Sequence, residues 1–235
     1  MTQRQSTSPG AFHPPPGRAE IRGDAPQSEL SMRRRPETGG KSERYARRLE
    51  SILKASSEVF AERGFDGASV RAIAARAEIS LSGIYYYFES KEKLLFALQR
   101  HTFTSLIGSL KRRLQDTRLP EERLLAVIQN HIEYFFENMA SLEVCSHELH
   151  RLTGGEYERI LEYRREYYEL ARKVISELMD APSESVALST LHLFGSLNWI
   201  YMWYDSSEHT DIRQITDTLA NIYLNGLNTR RLKHN

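Results

Sequence analysis

Cysteine is almost missing from this chain, and Cys145 is its only one. A lone thiol excludes an intramolecular disulfide and suits a reducing compartment, so a cytoplasmic protein is expected. Long apolar runs are missing too. No stretch of about eighteen apolar residues occurs, which excludes a membrane-spanning helix and gives no reason to expect a membrane partner. The first residues lack the apolar core of a signal peptide. Catalytic signatures are equally scarce. There is no Gly-x-Ser-x-Gly, no Gly-rich phosphate loop, no His-Glu-x-x-His and no paired cysteines, so the chain does not read as an enzyme. Nothing in it calls for a cofactor. Cys145, His147, Glu148 and His150 lie close in sequence, but one Cys and a His pair three apart lack the further ligands that a metal needs. His147 and His150 read as a surface pair, with no metal.

Proline is scarce except at one end. Six of the eight prolines (Pro9, Pro14, Pro15, Pro16, Pro26 and Pro36) fall in the first forty residues, among Gly, Ser, Gln and Arg. Such a segment buries too little apolar surface to offset its ordering entropy, so residues 1–41 are expected to form a disordered tail. Arg33-Arg34-Arg35 near its end could trail into a minor groove or remain a solvated charge run.

The net charge of +1 conceals an asymmetry. Residues 1–100 carry 17 Lys/Arg against 12 Asp/Glu, whereas residues 101–235 carry 15 against 19. A basic front half and an acidic back half suit an anion-contacting first domain and a different task for the second.

From Ser42 onward the pattern is helical, without strand-like alternation or an internal repeat. Leu49, Ile52, Leu53, Ser56, Val59 and Phe60 share one face of a first helix that Gly64 ends. A long helix starts near Ser90, and Pro120 opens the next. A short helix spans about 142–152, a break falls at Thr153-Gly154-Gly155, and further helices cover about 156–179, 184–204 and 208–228. The expected fold is all-α. A helix-turn-helix domain over residues 42–95 would precede a helical effector-binding and dimerisation domain over 96–235.

Residues 69–91 carry the sharpest signal. Val70, Ile73, Ala74 and Ala77 form a helical apolar face, with Ser69 at the N-cap. Ser80 is placed to cap a second short helix, Leu81–Tyr87, which can bury only Ile84 and Phe88. Ser82, Gly83, Tyr85, Tyr86 and Tyr87 are left to face outward. Small residues let the backbone approach a DNA groove, and phenol hydroxyls can bond phosphates while their rings touch thymine methyls. Lys91 opens the next helix, where its charge and the free N–H groups could clamp a phosphate. The candidate DNA-contacting residues are Ser69, Arg71, Ser80, Leu81, Ser82 and Gly83, together with Tyr85, Tyr86, Tyr87 and Lys91. Four consecutive aromatics from Tyr85 to Phe88 cannot all be core, because four residues cover every side of a helix.

This region resembles the DNA-binding domain of the tetracycline-repressor (TetR/AcrR) family. The resemblance starts at Arg47-Arg48-Leu49-Glu50 and runs through Val59-Phe60-Ala61-Glu62-Arg63-Gly64-Phe65 and Ser69–Lys91 to Glu92-Lys93-Leu94-Leu95. Leu81 departs from it, since the family often has a polar or basic residue there, so base readout at that position would be apolar or absent. The resemblance implies a dimer that meets palindromic operator DNA and a helical second domain that binds an effector. Dimerisation would run through the last two helices, about 184–204 and 208–228. The residues agree with this, because Val186, Leu188, Leu191, Leu193, Phe194, Leu197 and Ile200 leave the first of these helices apolar nearly all round. Such a helix needs burial on two sides, and Leu197 and Phe194 are taken here as interface positions.

The effector pocket is expected between the 121–140, 156–179 and 184–204 helices. Its candidate lining comprises Tyr134, Phe135, Tyr163 and Tyr167, joined by His192, Asn198, Trp199 and Met202. Glu148-Leu149-His150-Arg151-Leu152-Thr153-Gly154 and Asn198-Trp199-Ile200-Tyr201 resemble stretches of a TetR subgroup tied to lipid and acyl-CoA catabolism. The expected effector is accordingly a small hydrophobic carboxylate or acyl thioester, with Arg151, Arg164 and Arg165 available to meet an anionic head group. A small-molecule enzyme and a constitutive architectural DNA-binding protein are the alternatives.

Overall fold

The structure, a computed structural model, describes residues 39–203 and 211–228. All of its regular elements are helical: α1 (Gly39–Gly67), α2 (Val70–Arg76), α3 (Leu81–Tyr87), α4 (Lys91–Gln115) and α5 (Pro120–Glu137) come first. α6 (Met139–His147), a 3-10 turn (Leu149–Arg151), α7 (Gly154–Leu178), α8 (Ser183–Asn198), α9 (Ile200–Trp203) and α10 (Ile212–Asn228) follow. Apart from residues 39–41, which begin α1, the expected tail lies outside the described residues, as does Arg33-Arg34-Arg35. So does the start of the expected 208–228 helix.

α1 runs straight until Gly64, whose φ of +66° is a left-handed conformation that only glycine adopts cheaply. The kink turns the chain so that Phe65 buries against Phe60, their rings 5.5 Å apart. α1, α2 and α3 then close round Ile52, Ile73, Ile84 and Phe88, all essentially removed from solvent. Each such side chain contributes roughly 1.5–3 kcal/mol of burial. Arg76 on α2 reaches back to Glu58 and Glu62 on α1.

α4 is continuous across the expected domain limit at residues 95 and 96. Its first turns belong to the helix-turn-helix core through Leu94, Leu95 and Leu98, and its later turns pack on α5 and α7 through Leu106 and Leu110. α6 and the 3-10 turn lean on α1. There Glu148 Oε1 accepts the Phe65 N–H at 3.0 Å, and Arg151 pairs with Asp66. The effector-side bundle therefore grips the Gly64–Phe65 corner directly.

Two boundaries differ from expectation. The short helix starts at Met139 and ends at His147, because Asn138 caps the break after α5 and the chain tightens into a 3-10 turn at Leu149. The expected 184–204 helix is interrupted at Asn198–Trp199 and continues as the single turn α9.

Candidate nucleic-acid interface and effector core

Local capping builds the first site. Ser69 Oγ accepts the Ala72 N–H and Ser80 Oγ accepts the Gly83 N–H, each at 3.1 Å, so both helices start where a side chain satisfies an orphan donor. The turn between them places Glu78 at φ +53°. With Ile84 and Phe88 buried, α3 is held from behind and turns Leu81, Ser82, Tyr85 and Tyr86 to solvent. The two tyrosines are about half exposed, at 49% and 51%. Ser69, Arg71 and Ser80 are exposed beside them.

Three of the named residues have other surroundings than the sequence suggested. Tyr87 does not face outward but is half-buried against Tyr45 of α1, ring centroids 4.9 Å apart. Burial raises its hydroxyl pKa, with Tyr86 adding to the effect. Gly83 is tight for an internal reason, because a Cβ there would meet Ser80 Oγ at 3.2 Å and Ile79 at 3.5 Å. Lys91 points inward. Its Nζ donates to the carbonyls of Phe65 (2.6 Å) and Ala68 (3.0 Å) and lies 4.3 Å over the Phe65 ring. With two of its three donors committed to backbone, its geometry is that of a structural staple rather than a phosphate clamp.

Sequence reasoning passed over a basic groove of about 540 Å³ beside α3. Arg44, Arg47 and Arg48 line it with Tyr45, Ser51, Tyr86 and Tyr87. The arginines recur at helical spacing on the first turns of α1, and that spacing was the available signal.

The eight candidate effector residues do not share one wall. Phe135 and Tyr167 are buried and Tyr134 half-buried in the α4–α5–α7 core. Tyr163 lines a separate cleft of about 190 Å³ with Leu53, Ala97 and His101, where α1 meets α4. Asn198 is half-buried beside the His131 ring. His192 is exposed on the outer side of α8, and Trp199 and Met202 are exposed at and beyond the break after Asn198. The three arginines do not converge either. Arg151 is engaged with Asp66 and Glu148, Arg165 is exposed, and Arg164 lies 5.9 Å over the Phe103 ring. Glu162 and Glu166 are taken by Arg159 and Lys111. Of the group around Cys145, the thiol is buried, His150 Nδ1 sits 2.9 Å from the His147 carbonyl oxygen, and Glu148 serves Phe65.

What the sequence reading missed in the core is polar: Gln99, Thr102, Asn130 and His131, each at most 3% exposed. Their signal was present, since each interrupts an apolar helix face. Burial pushes the His131 pKa down to about 3, against a smaller upward pull from Asn198. An unfolded chain takes up that proton near pH 6.5 and the folded chain only near pH 3. The contribution is thus fully present above about pH 6.5 and is lost as pH falls through that window, by up to about 1.4 kcal/mol per pH unit. Chemical denaturation between about pH 7 and about pH 5 should show this loss, and His131→Phe should flatten it. An unchanged slope in the variant would assign the acid sensitivity to another group.

Comparison with known proteins agrees with this architecture. Residues 52–98 match the model for bacterial regulatory proteins of the tetR family, and residues 117–227 match the tetracyclin repressor-like C-terminal domain. The fatty acid metabolism regulator protein of Bacillus subtilis is 21% identical over 184 residues, covering 76% of this chain and 95% of its own length. The transcriptional repressor NicS of Pseudomonas putida is 29% identical over 111 residues, 47% of this chain, which spans about half of that repressor. Among solved structures, a TetR-family regulator from Bordetella parapertussis superposes with a TM-score of 0.71 at 24% identity, covering 78% of this chain and 97% of that one. AibR, solved in complex with isovaleryl coenzyme A and operator DNA, superposes with a TM-score of 0.65 at 25% identity, covering 74% and 97%. With a capped helix-turn-helix in front, a helical bundle behind and both domains matched in order, the chain belongs to the tetR family of bacterial transcriptional regulators, which bind DNA and are not enzymes.

Proposed function

We propose that this protein is a cytoplasmic, homodimeric repressor that leaves a palindromic operator when a small hydrophobic effector, an acyl-CoA or a fatty acid, enters its bundle. The observation that carries the DNA half is the outward face of α3, held rigid by Ile84 and Phe88 behind it. Ser82, Tyr85 and Tyr86 would enter the major groove while Arg44, Arg47 and Arg48 neutralise flanking phosphates. The relatives support the effector half: one is named for fatty acid metabolism and another was solved with an acyl-CoA. The Glu148–Phe65 hydrogen bond offers a route between the halves, because any shift of the 3-10 turn moves the corner that carries α2. An effector acts only through unequal affinity for the two arrangements.

Binding to DNA from the chain's own promoter, with and without acyl-CoA, tests this reading. Long-chain acyl-CoA should release the DNA at micromolar concentration while free CoA does not. Retention of DNA with every acyl-CoA and fatty acid would remove the lipid assignment. Tyr85→Ala and Tyr86→Ala should each weaken operator binding roughly tenfold, consistent with ~1–3 kcal/mol per specific contact. Both variants should keep the wild-type melting temperature, as neither ring supports the core. Wild-type affinity in both would move the recognition surface off α3.

A further inference from the structure

The cleft of about 190 Å³ that Tyr163 lines is built from three helices, with Leu49 and Leu53 on α1, Ala97, Arg100, His101 and Thr104 on α4, and Tyr163 on α7. It therefore joins the helix-turn-helix domain to the bundle. Its apolar part is preformed, because Leu53 and Ala97 are only 4% and 5% exposed and Tyr163 and Leu49 pack against the same core. Its polar part is cationic. The Arg100 guanidinium lies 5.9 Å over the Phe96 ring, a contact that steadies the side chain, and its five donors exceed what one partner can use. Partial burial pulls the His101 pKa below its ordinary value, with Glu50 of α1 pulling the other way and Arg100 adding to the fall. His101 is accordingly a neutral imidazole near pH 7, with one N–H to give. Thr104 Oγ1 donates to the carbonyl of Arg100 or of His101, at 2.8 and 3.1 Å, so its hydrogen is already used. Glu50 acts on His101 without lining the cleft, and among the described residues no carboxylate lines it.

We propose that this cleft is a second ligand site, separate from any acyl effector in the bundle, and that it takes a small organic carboxylate with a flat apolar body. Size decides the first half. A volume of about 190 Å³ equals roughly six waters and falls below the ~300–1,000 Å³ of pockets for drug-sized ligands, so an acyl-CoA does not fit. Chemistry decides the second. Arg100 supplies a fixed charge and a planar fork that matches a carboxylate, and His101 supplies a further donor. Leu53, Ala97 and the Tyr163 ring leave an apolar slot beside them, where a ring loses contact with water at no polar cost. An inorganic anion would leave that slot empty, and a neutral ring would leave the charge unanswered. Because the lining comes from α1 and α7 together, an occupant would hold the DNA-reading domain against the bundle. The site stands whether or not the acyl effector reading holds.

Benzoate, benzamide and acetate serve as matched probes, each titrated into the full chain by calorimetry: the first has charge and ring, the second only the ring, the third only the charge. Wild-type protein should bind benzoate with a Kd of about 0.1–1 mM, at least about tenfold more tightly than either of the others. Saturating benzoate should also raise the melting temperature by a few degrees. Arg100→Gln removes the charge and keeps a side chain of similar reach; it should weaken benzoate about tenfold and leave benzamide unchanged. Thr104→Phe fills the cleft from its exposed rim and should weaken benzoate and benzamide alike. Both positions lie outside the buried core, and if one variant folds poorly the other decides. Wild-type benzoate affinity in either folded variant overturns the proposal. So does equal affinity of the wild type for benzoate and benzamide, or for benzoate and acetate, as does failure of benzoate to bind. Loss of benzoate in both variants, with benzamide lost only in Thr104→Phe, upholds it.

Discussion

Lys91→Ala is expected to lower the melting temperature by about 5–10 °C and to weaken operator binding without changing its dependence on salt. Lys91 closes the three-helix domain, because its ammonium joins the first turn of α4 to the carbonyls of Phe65 and Ala68 in the α1–α2 connection. Hydrogen bonds to a charged donor contribute roughly 1.5–3 kcal/mol each. Lys91 is only half-buried, which argues for the lower end, and two such bonds then give about 2–3 kcal/mol. For a chain of this size ~2–4 °C accompanies each kcal/mol. The loss of operator affinity would follow from a loosened α2–α3 unit, and so would fall on all sequences in proportion to folded population and orientation. A phosphate clamp makes a different prediction: the fold stays intact and the salt slope drops by ~1 as one counterion fewer is released. Melting and a salt titration of the same variant separate the two. An unchanged melting temperature with a reduced slope would restore the clamp.

The contrast at Lys91 shows where a sequence stops being legible. Ser69, Ser80, Ile84 and Phe88 act on residues three or four positions away, and such local relations survive in the one-dimensional pattern. Lys91 acts on carbonyls 23 and 26 positions back, and Glu148 acts on an amide 83 positions back. Nothing in residue type or spacing announces those partners. Tyr87 failed to face outward for the same reason, because its partner Tyr45 belongs to another helix. In the bundle the difficulty is different. A helix that is apolar on every side declares that it is buried twice, yet not which side meets its own core. Phe194 and Leu197 pack inside the subunit, against the cluster around His131 and Tyr167, while Leu188 on the same helix is 53% exposed. The polar core residues were visible but outnumbered by aromatics, which draw attention in any search for a pocket.

Dimerisation is therefore expected to depend on Leu188 and Ile222, not on Leu197. α10 packs on α5, and its Tyr223 hydroxyl reaches Ser196 of α8. On these two helices Leu188 and, at 62%, Ile222 stand exposed, and Met202 on α9 is 56% exposed. Gly195 and Gly226 fall on exposed turns with open space where a Cβ would be, which permits close approach of a second pair of helices. A two-fold contact of the same face with itself would make a four-helix interface and set two α3 helices in successive major grooves, ~34–36 Å apart. Leu188→Glu combined with Ile222→Glu would place carboxylates in that interface without partners, at several kcal/mol in total. The expected product is a folded monomer by sedimentation, with an unchanged helical spectrum. Its operator affinity should fall by about 100-fold or more, since the second half-site no longer binds as an intramolecular event. Leu197→Glu cannot make this test, because Leu197 is 1% exposed and its replacement would bury a charge inside the subunit and unfold it. A persistent dimer in the double variant would place the interface on another face. A monomer that still held the operator at wild-type affinity would mean that pairing of half-sites contributes nothing to recognition.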